Sequence, residues 1–174
     1  MERWDVGAAV GIGGAVAGTA LLGAVATRSG LGPEYRALEK PPWQPPAAAF
    51  GPVWTVLYGM MAWSAWRVWR APPSRARRRA LGLWSAQLAL NAAWSPLFFG
   101  LRRPGLALAD IGLLQPTLVA CTAATARVDR RAGLLLVPYL AWTTFAAALN
   151  ASIVRRNRRR LRLARRLGLR RLYH

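Results

Sequence analysis

Charge in this chain is sorted into blocks. Five apolar stretches, at about residues 6–27, 47–68, 80–101, 104–126 and 132–154, are nearly free of it, and arginines crowd the segments between them. Hydrocarbon excludes charge and the flanking interfaces accept it, so this pattern describes a polytopic membrane protein. Each stretch is near the ~20 residues needed to cross a ~30 Å apolar core. The stretches are continuous instead of alternating, and an open sheet cannot satisfy its backbone in lipid, so helices are expected. The expected fold class is an all-α membrane protein, a bundle of five transmembrane helices within residues 1–157. An arginine-rich tail, 158–174, follows it.

The chain is 54% hydrophobic, with 25 Lys+Arg against 6 Asp+Glu for a net charge of +19. So basic a chain raises the question of nucleic acid. Here the arginines cap apolar segments and do not line a soluble face, so no nucleic-acid partner is expected. The single cysteine, Cys121, lies in an apolar run, and the only histidine is the terminal His174. Structural zinc and attached haem therefore lack ligands, and Cys121 reads as a small buried residue.

The first run could pass for a secretory signal, since Ala24-Val25-Ala26 mimics a cleavage site. Its leading MERWD has no net positive charge and the run is long, so we read it as a retained helix. Gly7, Gly11, Gly14 and Gly18 line one face, which suits close packing inside the bundle, with a dimer face as the alternative. With five spans the termini face opposite sides. The loops favour one side as cytoplasmic, and the ten arginines from Arg155 onward favour the other. Moving ten arginines across a membrane is costly, which favours a cytoplasmic tail. The tail alternates arginine with Leu161, Leu163, Leu167, Leu169 and Leu172. It reads either as a contact with anionic lipid headgroups or as a solvated topology anchor.

Polar groups inside spans are costly and usually face the bundle interior. In the third run Gln87, Asn91, Trp94 or Ser95, and Phe98 recur at helical spacing. Tyr139, Trp142, Ala146 and Asn150 share a face of the fifth, and Phe50, Trp54, Tyr58 and Met61 share one of the second. Aromatic rings with a few amides suit a flat, largely apolar ligand with polar edges. Packing is the competing role for Trp54, Trp94 and Trp142, and Asn91 could instead bond a neighbouring helix. Trp63, Trp66, Trp69 and Trp84 lie near run ends and read as interfacial. Asp110 is the one acid inside a span and reads as a hydrogen-bonding clamp or a pocket rim. No nucleophile, base and orienter can be assembled, so hydrolase, kinase and metalloenzyme chemistry lack their parts.

Three segments carry a family resemblance. KPPWQPPAAAFGPVWTVLYGMMAWSAWRVW resembles the proline- and tryptophan-rich first loop and second helix of the tryptophan-rich sensory protein and translocator protein family. LNAAWSPLFFGLRRPGLALADI and VPYLAWTTFAAALN resemble its third-to-fourth hairpin and fifth helix. The resemblance implies a five-helix bundle, commonly a homodimer, with a pocket closed by the first loop. It implies porphyrin ligands such as protoporphyrin IX and haem, no obligatory cofactor, and a sensory, regulatory or transport role in tetrapyrrole metabolism. Carried over by position, the ligand-binding residues would be Trp54 with Tyr58 beside it, Asn91, Trp94, Asp110, Trp142 and Ala146. Light- and oxygen-dependent porphyrin degradation through Trp54 and Trp142 is the alternative function it allows. Three departures stand out, one of them the long arginine tail, an extension the family does not generally need. Ala151 occupies a position where the cholesterol consensus needs an aromatic, and Leu106 one that is often aromatic in animal members.

Within the first loop, Pro41, Pro42, Pro45 and Pro46 fix φ without asking for backbone partners. They are expected to hold an extended lid that presents Trp43 over a pocket whose wall begins at Trp54. Pro52 is expected in the first turn of the second helix, where a missing donor costs nothing. The Ala- and Arg-rich composition suits a bacterial cell membrane.

Overall fold

The computed structural model describes residues 3–166, and the regular secondary structure among them is all helical. Five long helices are α1 (Arg3–Gly30), α3 (Ala47–Arg70), α4 (Arg75–Ser95), α5 (Pro104–Val128) and α6 (Arg130–Arg166). A short α2 (Pro33–Ala37) sits in the first loop, and a π-helical turn, Pro96–Gly100, follows α4. α1 packs on α3 and α4, α3 packs on α6, and α4 and α6 both flank α5. The long helices thus close a ring in the order α1, α3, α6, α5, α4.

Among the described residues, three helical segments are long and apolar enough to cross a membrane: Asp5–Gly30, Pro104–Val128 and Arg130–Arg159. They correspond to the first, fourth and fifth expected spans, and the protein is an integral membrane protein. α3 and α4 occupy the other two expected spans but are less apolar. α3 spends its length on Trp54, Tyr58, Trp63, Trp66 and Trp69, and α4 opens with Arg75, Arg77, Arg78 and Arg79. That arginine turn lies outside the expected run. It is helical because the Ser74 Oγ accepts from the Arg77 amide as an N-cap.

A central core joins Val16, Leu57, Met61, Trp84, Leu118 and Tyr139. Trp84 was expected at the interface, but it is buried, and its Nε1 donates to the Met61 carbonyl at 3.1 Å. Polar aromatic residues near a run end can be core when a backbone acceptor lies within reach. Cys121 is fully buried, as expected.

The glycines that matter are not the expected ones. A Cβ at Gly7, Gly11, Gly14 or Gly18 would meet nothing within 4 Å, so the stripe faces outward and packs no neighbour among the described residues. At Gly30 a Cβ would fall 2.7 Å from the Phe99 Cα, and at Gly133 it would fall 2.8 Å from the Ala126 Cα. Those two positions let α1 meet the π turn and α6 meet α5 at backbone distance.

Pro52 is also displaced from expectation. α3 begins at Ala47, so Pro52 lies inside the helix, as do Pro116 in α5 and Pro138 in α6. Each removes one ladder donor. α6 continues without a break through Arg155 to Arg166, so the start of the tail is a helical extension of the fifth span and no separate element. Leu167, Leu169 and Leu172 lie outside the described residues.

Candidate functional site

One end of the ring is aromatic. α3 enters from Pro46, its N-cap residue, and sets Phe50, Trp54 and Tyr58 one turn apart on one face. Trp54 and Tyr58 rings lie 5.2 Å apart, and Trp54 meets Tyr139 of α6 edge-on at 6.2 Å. The Tyr58 hydroxyl donates to the Asn91 Oδ1 of α4 at 2.9 Å. Phe50 meets Trp142 at 5.7 Å, and Trp142 meets Phe145 at 5.5 Å. Phe145 then meets Trp43 of the first loop at 5.7 Å. A run of rings therefore reaches from the half-exposed Trp43 to the wall of α3.

Trp94 belongs to a neighbouring stack. It lies nearly parallel to Phe98 at 5.0 Å and edge-on to Phe99 at 6.0 Å. The π turn makes this possible. Pro96 has no amide, the Leu101 amide bonds back to the Pro96 carbonyl at 2.7 Å, and the wider turn brings Phe98 and Phe99 to one place. Tyr35 of the first loop packs on both phenylalanines at 6.4 Å and 5.4 Å.

The first loop is tied down at three points. Tyr35 sits on the π turn, and Trp43 sits on Phe145. Asn157 of α6 brackets Glu39, accepting from its amide and donating to its carbonyl, each at 3.1 Å. The Glu39 carboxylate pairs with Arg156 at 3.2 Å. Lys40 folds back over the Tyr35 ring, donates to the Arg36 and Leu38 carbonyls, and its partial desolvation lowers its pKa. The prolines themselves form a turn, with the Gln44 amide bonding the Pro41 carbonyl at 3.1 Å.

Of the residues expected to bind ligand, Trp54, Tyr58, Asn91 and Trp142 stand around the central core, with Trp43 at the rim. Trp94 lines the adjacent stack. Ala146 is half-buried one turn beyond Trp142. Asp110 is buried, and its Oδ2 has no hydrogen-bond partner among the described residues. Of its two expected roles, helix clamp or pocket rim, this unpartnered oxygen does not supply the clamp. That task falls to Asn150: the donors and acceptors around it assign its amide nitrogen to the Pro104 carbonyl and its oxygen to the Leu108 amide, both at 3.1 Å.

Sequence reasoning missed Phe145 and Tyr35 as wall residues. Phe145 lies three positions after Trp142, so helical spacing alone could have placed it beside that ring. Tyr35 carries no such signal, because its position depends on how the loop folds. Gln87 and Tyr139 are fully buried, and among the described residues the Gln87 amide has no hydrogen-bond partner. Buried polar groups of this kind give an aromatic cluster its polar points.

The fold and this site define a class: integral membrane proteins of packed helices with an aromatic, amide-edged wall beneath a first-loop cover. The TspO/MBR family model matches residues 10–156, and the chain belongs to that family. A translocator protein from Bos taurus is 42% identical over 147 residues, 80% of this chain and 87% of the relative. The tryptophan-rich protein TspO of Chlorobaculum tepidum is 42% identical over 127 residues, 71% of this chain and 78% of the relative. A tryptophan-rich sensory protein from Cereibacter sphaeroides is 41% identical over 123 residues, covering 71% and 76%. These relatives are named for translocation and sensing, with no enzymatic activity in their names.

Proposed function

We propose that this chain binds a porphyrin, such as protoporphyrin IX or haem, or a related flat hydrophobic ligand, against its aromatic wall. Its role is sensory, regulatory or transport, within tetrapyrrole metabolism. The observation that carries this is the run of rings Trp43, Phe145, Trp142 and Phe50 beside Trp54, Tyr58 and Asn91. A flat ligand exchanges ring–ring contacts for ring–macrocycle contacts of the same kind, so it enters at low cost in apolar burial. Asn91, Gln87 and Tyr139 offer the polar points that orient it.

In this reading all five long helices cross a bacterial cell membrane. α3 and α4 do so as partners of more apolar neighbours, with their tryptophans and amides turned to the interior or the interface. Trp43 and Tyr35 hold the first loop as the lid.

Absorbance titration of purified protein with protoporphyrin IX, in darkness and under illumination, tests the proposal. Saturable spectral perturbation in the dark with a stable porphyrin supports binding. Light-dependent loss of the porphyrin bands moves the assignment to the degrading enzyme. A spectrum indifferent to protein removes both.

A further inference from the structure

The opposite end of the ring holds a second site. α3 contributes Trp63, Trp66, Arg67 and Arg70 to an open cleft of about 360 Å³, which Val128 and Asp129 complete. The twelve positions from Trp54 to Trp66 correspond to about 18 Å of helix rise, so this cleft is separate from the aromatic wall.

Its charge is unbalanced. The Asp129 Oδ2 receives Arg67 Nε at 2.8 Å and Nη2 at 2.7 Å, and its Oδ1 receives the Arg131 and Ala132 amides. The one carboxylate of the cleft is therefore fully engaged. Arg70 is exposed and makes no ion pair among the described residues, and Arg127, Arg130 and Arg131 add exposed positive charge nearby. A guanidinium in that state offers two parallel donors suited to phosphate oxygens.

Its surroundings are amphipathic. Trp63 is 55% exposed beside Arg70, and indoles settle at headgroup depth. Toward the bilayer centre the same outward face of α3 continues through Gly59, where a Cβ would meet nothing, to Val56, which is 60% exposed. A free anion would use the arginine and leave the indole and the stripe idle. An anionic amphiphile uses all three.

We infer that this cleft seats the headgroup of an anionic phospholipid. The phosphodiester pairs with Arg70, Trp63 flanks the glycerol region, and one acyl chain follows the Gly59–Val56 stripe. Basic pockets at the ends of membrane helices hold such headgroups by this chemistry. The site lies at the end opposite the arginine tail and is independent of porphyrin binding.

Native mass spectrometry of the full chain, with equimolar phosphatidylglycerol and phosphatidylcholine of identical chains, tests it. The wild type is expected to retain phosphatidylglycerol preferentially. Arg70→Gln lowers that preference about fivefold, the effect of one arginine at an anionic surface. Arg103→Gln, at the other end, leaves it unchanged. Trp63→Ala weakens retention of both lipids and preserves their ratio. An unchanged preference in Arg70→Gln, or an equal loss in Arg103→Gln, would overturn the site in favour of undirected surface charge. Displacement of the lipid by glycerol 3-phosphate at the same concentration would overturn it in favour of a small-anion site.

Discussion

The Tyr58 hydroxyl donates to the Asn91 Oδ1 at 2.9 Å, tying α3 to α4 within the aromatic wall. Interhelical side-chain bonds in membranes contribute about 0.6 kcal/mol on average and at most about 1.7. Tyr58→Phe is therefore expected to lower the thermal midpoint in detergent by a few degrees, with the helices still inserted. A midpoint drop as large as that of a core truncation would show that Tyr58 does more than hold this bond.

Asn150 brackets peptide groups four residues apart in the first turn of α5. A leucine there keeps the volume and strands buried backbone groups, at a cost of about 1–3 kcal/mol. Asn150→Leu should thus destabilise more than Tyr58→Phe, read by thermal unfolding under the same conditions. Equal stability to wild type would refute the clamp.

Asp129 links three elements: Arg67 of α3, the end of α5 and the first turn of α6. Partial desolvation opposes its ionisation, but the Ala132 amide, the Arg67 hydrogen bond and charge, and the Arg131 amide outweigh it and hold the carboxyl below its usual range. A depressed folded-state pKa means the stabilisation is present above the ordinary carboxylate value near ~3.9 and is lost as pH falls through the folded value. Wild type should therefore lose stability between about pH 4 and the folded value, where Asp129→Asn is flat. Parallel pH profiles for the two proteins would count against this linkage.

Gly30 and Gly14 should respond oppositely to alanine. At Gly30 the new Cβ presses on the Phe99 backbone, and overpacking of this kind costs about 1–3 kcal/mol. At Gly14 the Cβ meets open space, and alanine gains helix propensity of up to about 1 kcal/mol. Thermal midpoints of the two variants, measured side by side, should fall on either side of the wild type.

Asn157 holds the first loop through both backbone groups of Glu39. Asn157→Ala should speed hydrogen exchange across residues 31–46 and leave the α5 amides unaffected. Exchange rising equally in both segments would mean that the substitution loosens the bundle and not the lid.

Much of this architecture is legible in the sequence because lipid imposes a coarse rule that charge must obey. The sorted arginines locate all five long helices, and the i, i+4 spacing of Phe50, Trp54 and Tyr58 puts them on one face before any coordinates exist. What escapes is decided by tertiary distance. Trp84 looks interfacial until the Met61 carbonyl meets its indole, and the glycine stripe looks like a packing face until α3 and α4 turn out to lie on the other side of α1. Asp129 drew no attention within an arginine-rich loop, since its partner Arg67 in α3 is far away in sequence and is brought to it only by the packing of the helices. The π turn at Pro96 is likewise a local surprise: a proline that could have ended α4 instead widens it and gathers Phe98 and Phe99 beneath Tyr35.

The most direct measurement of ligand binding at the aromatic wall is a protoporphyrin IX titration followed by quenching of tryptophan fluorescence in three proteins. Wild type should quench saturably. Trp142→Ala should bind at least about tenfold more weakly, as expected for a central aromatic anchor. Trp63→Ala, at the other end of the bundle, should match wild type in affinity. Quenching that stays linear in porphyrin, or affinity lost equally in the two variants, would contradict a site built on the aromatic wall.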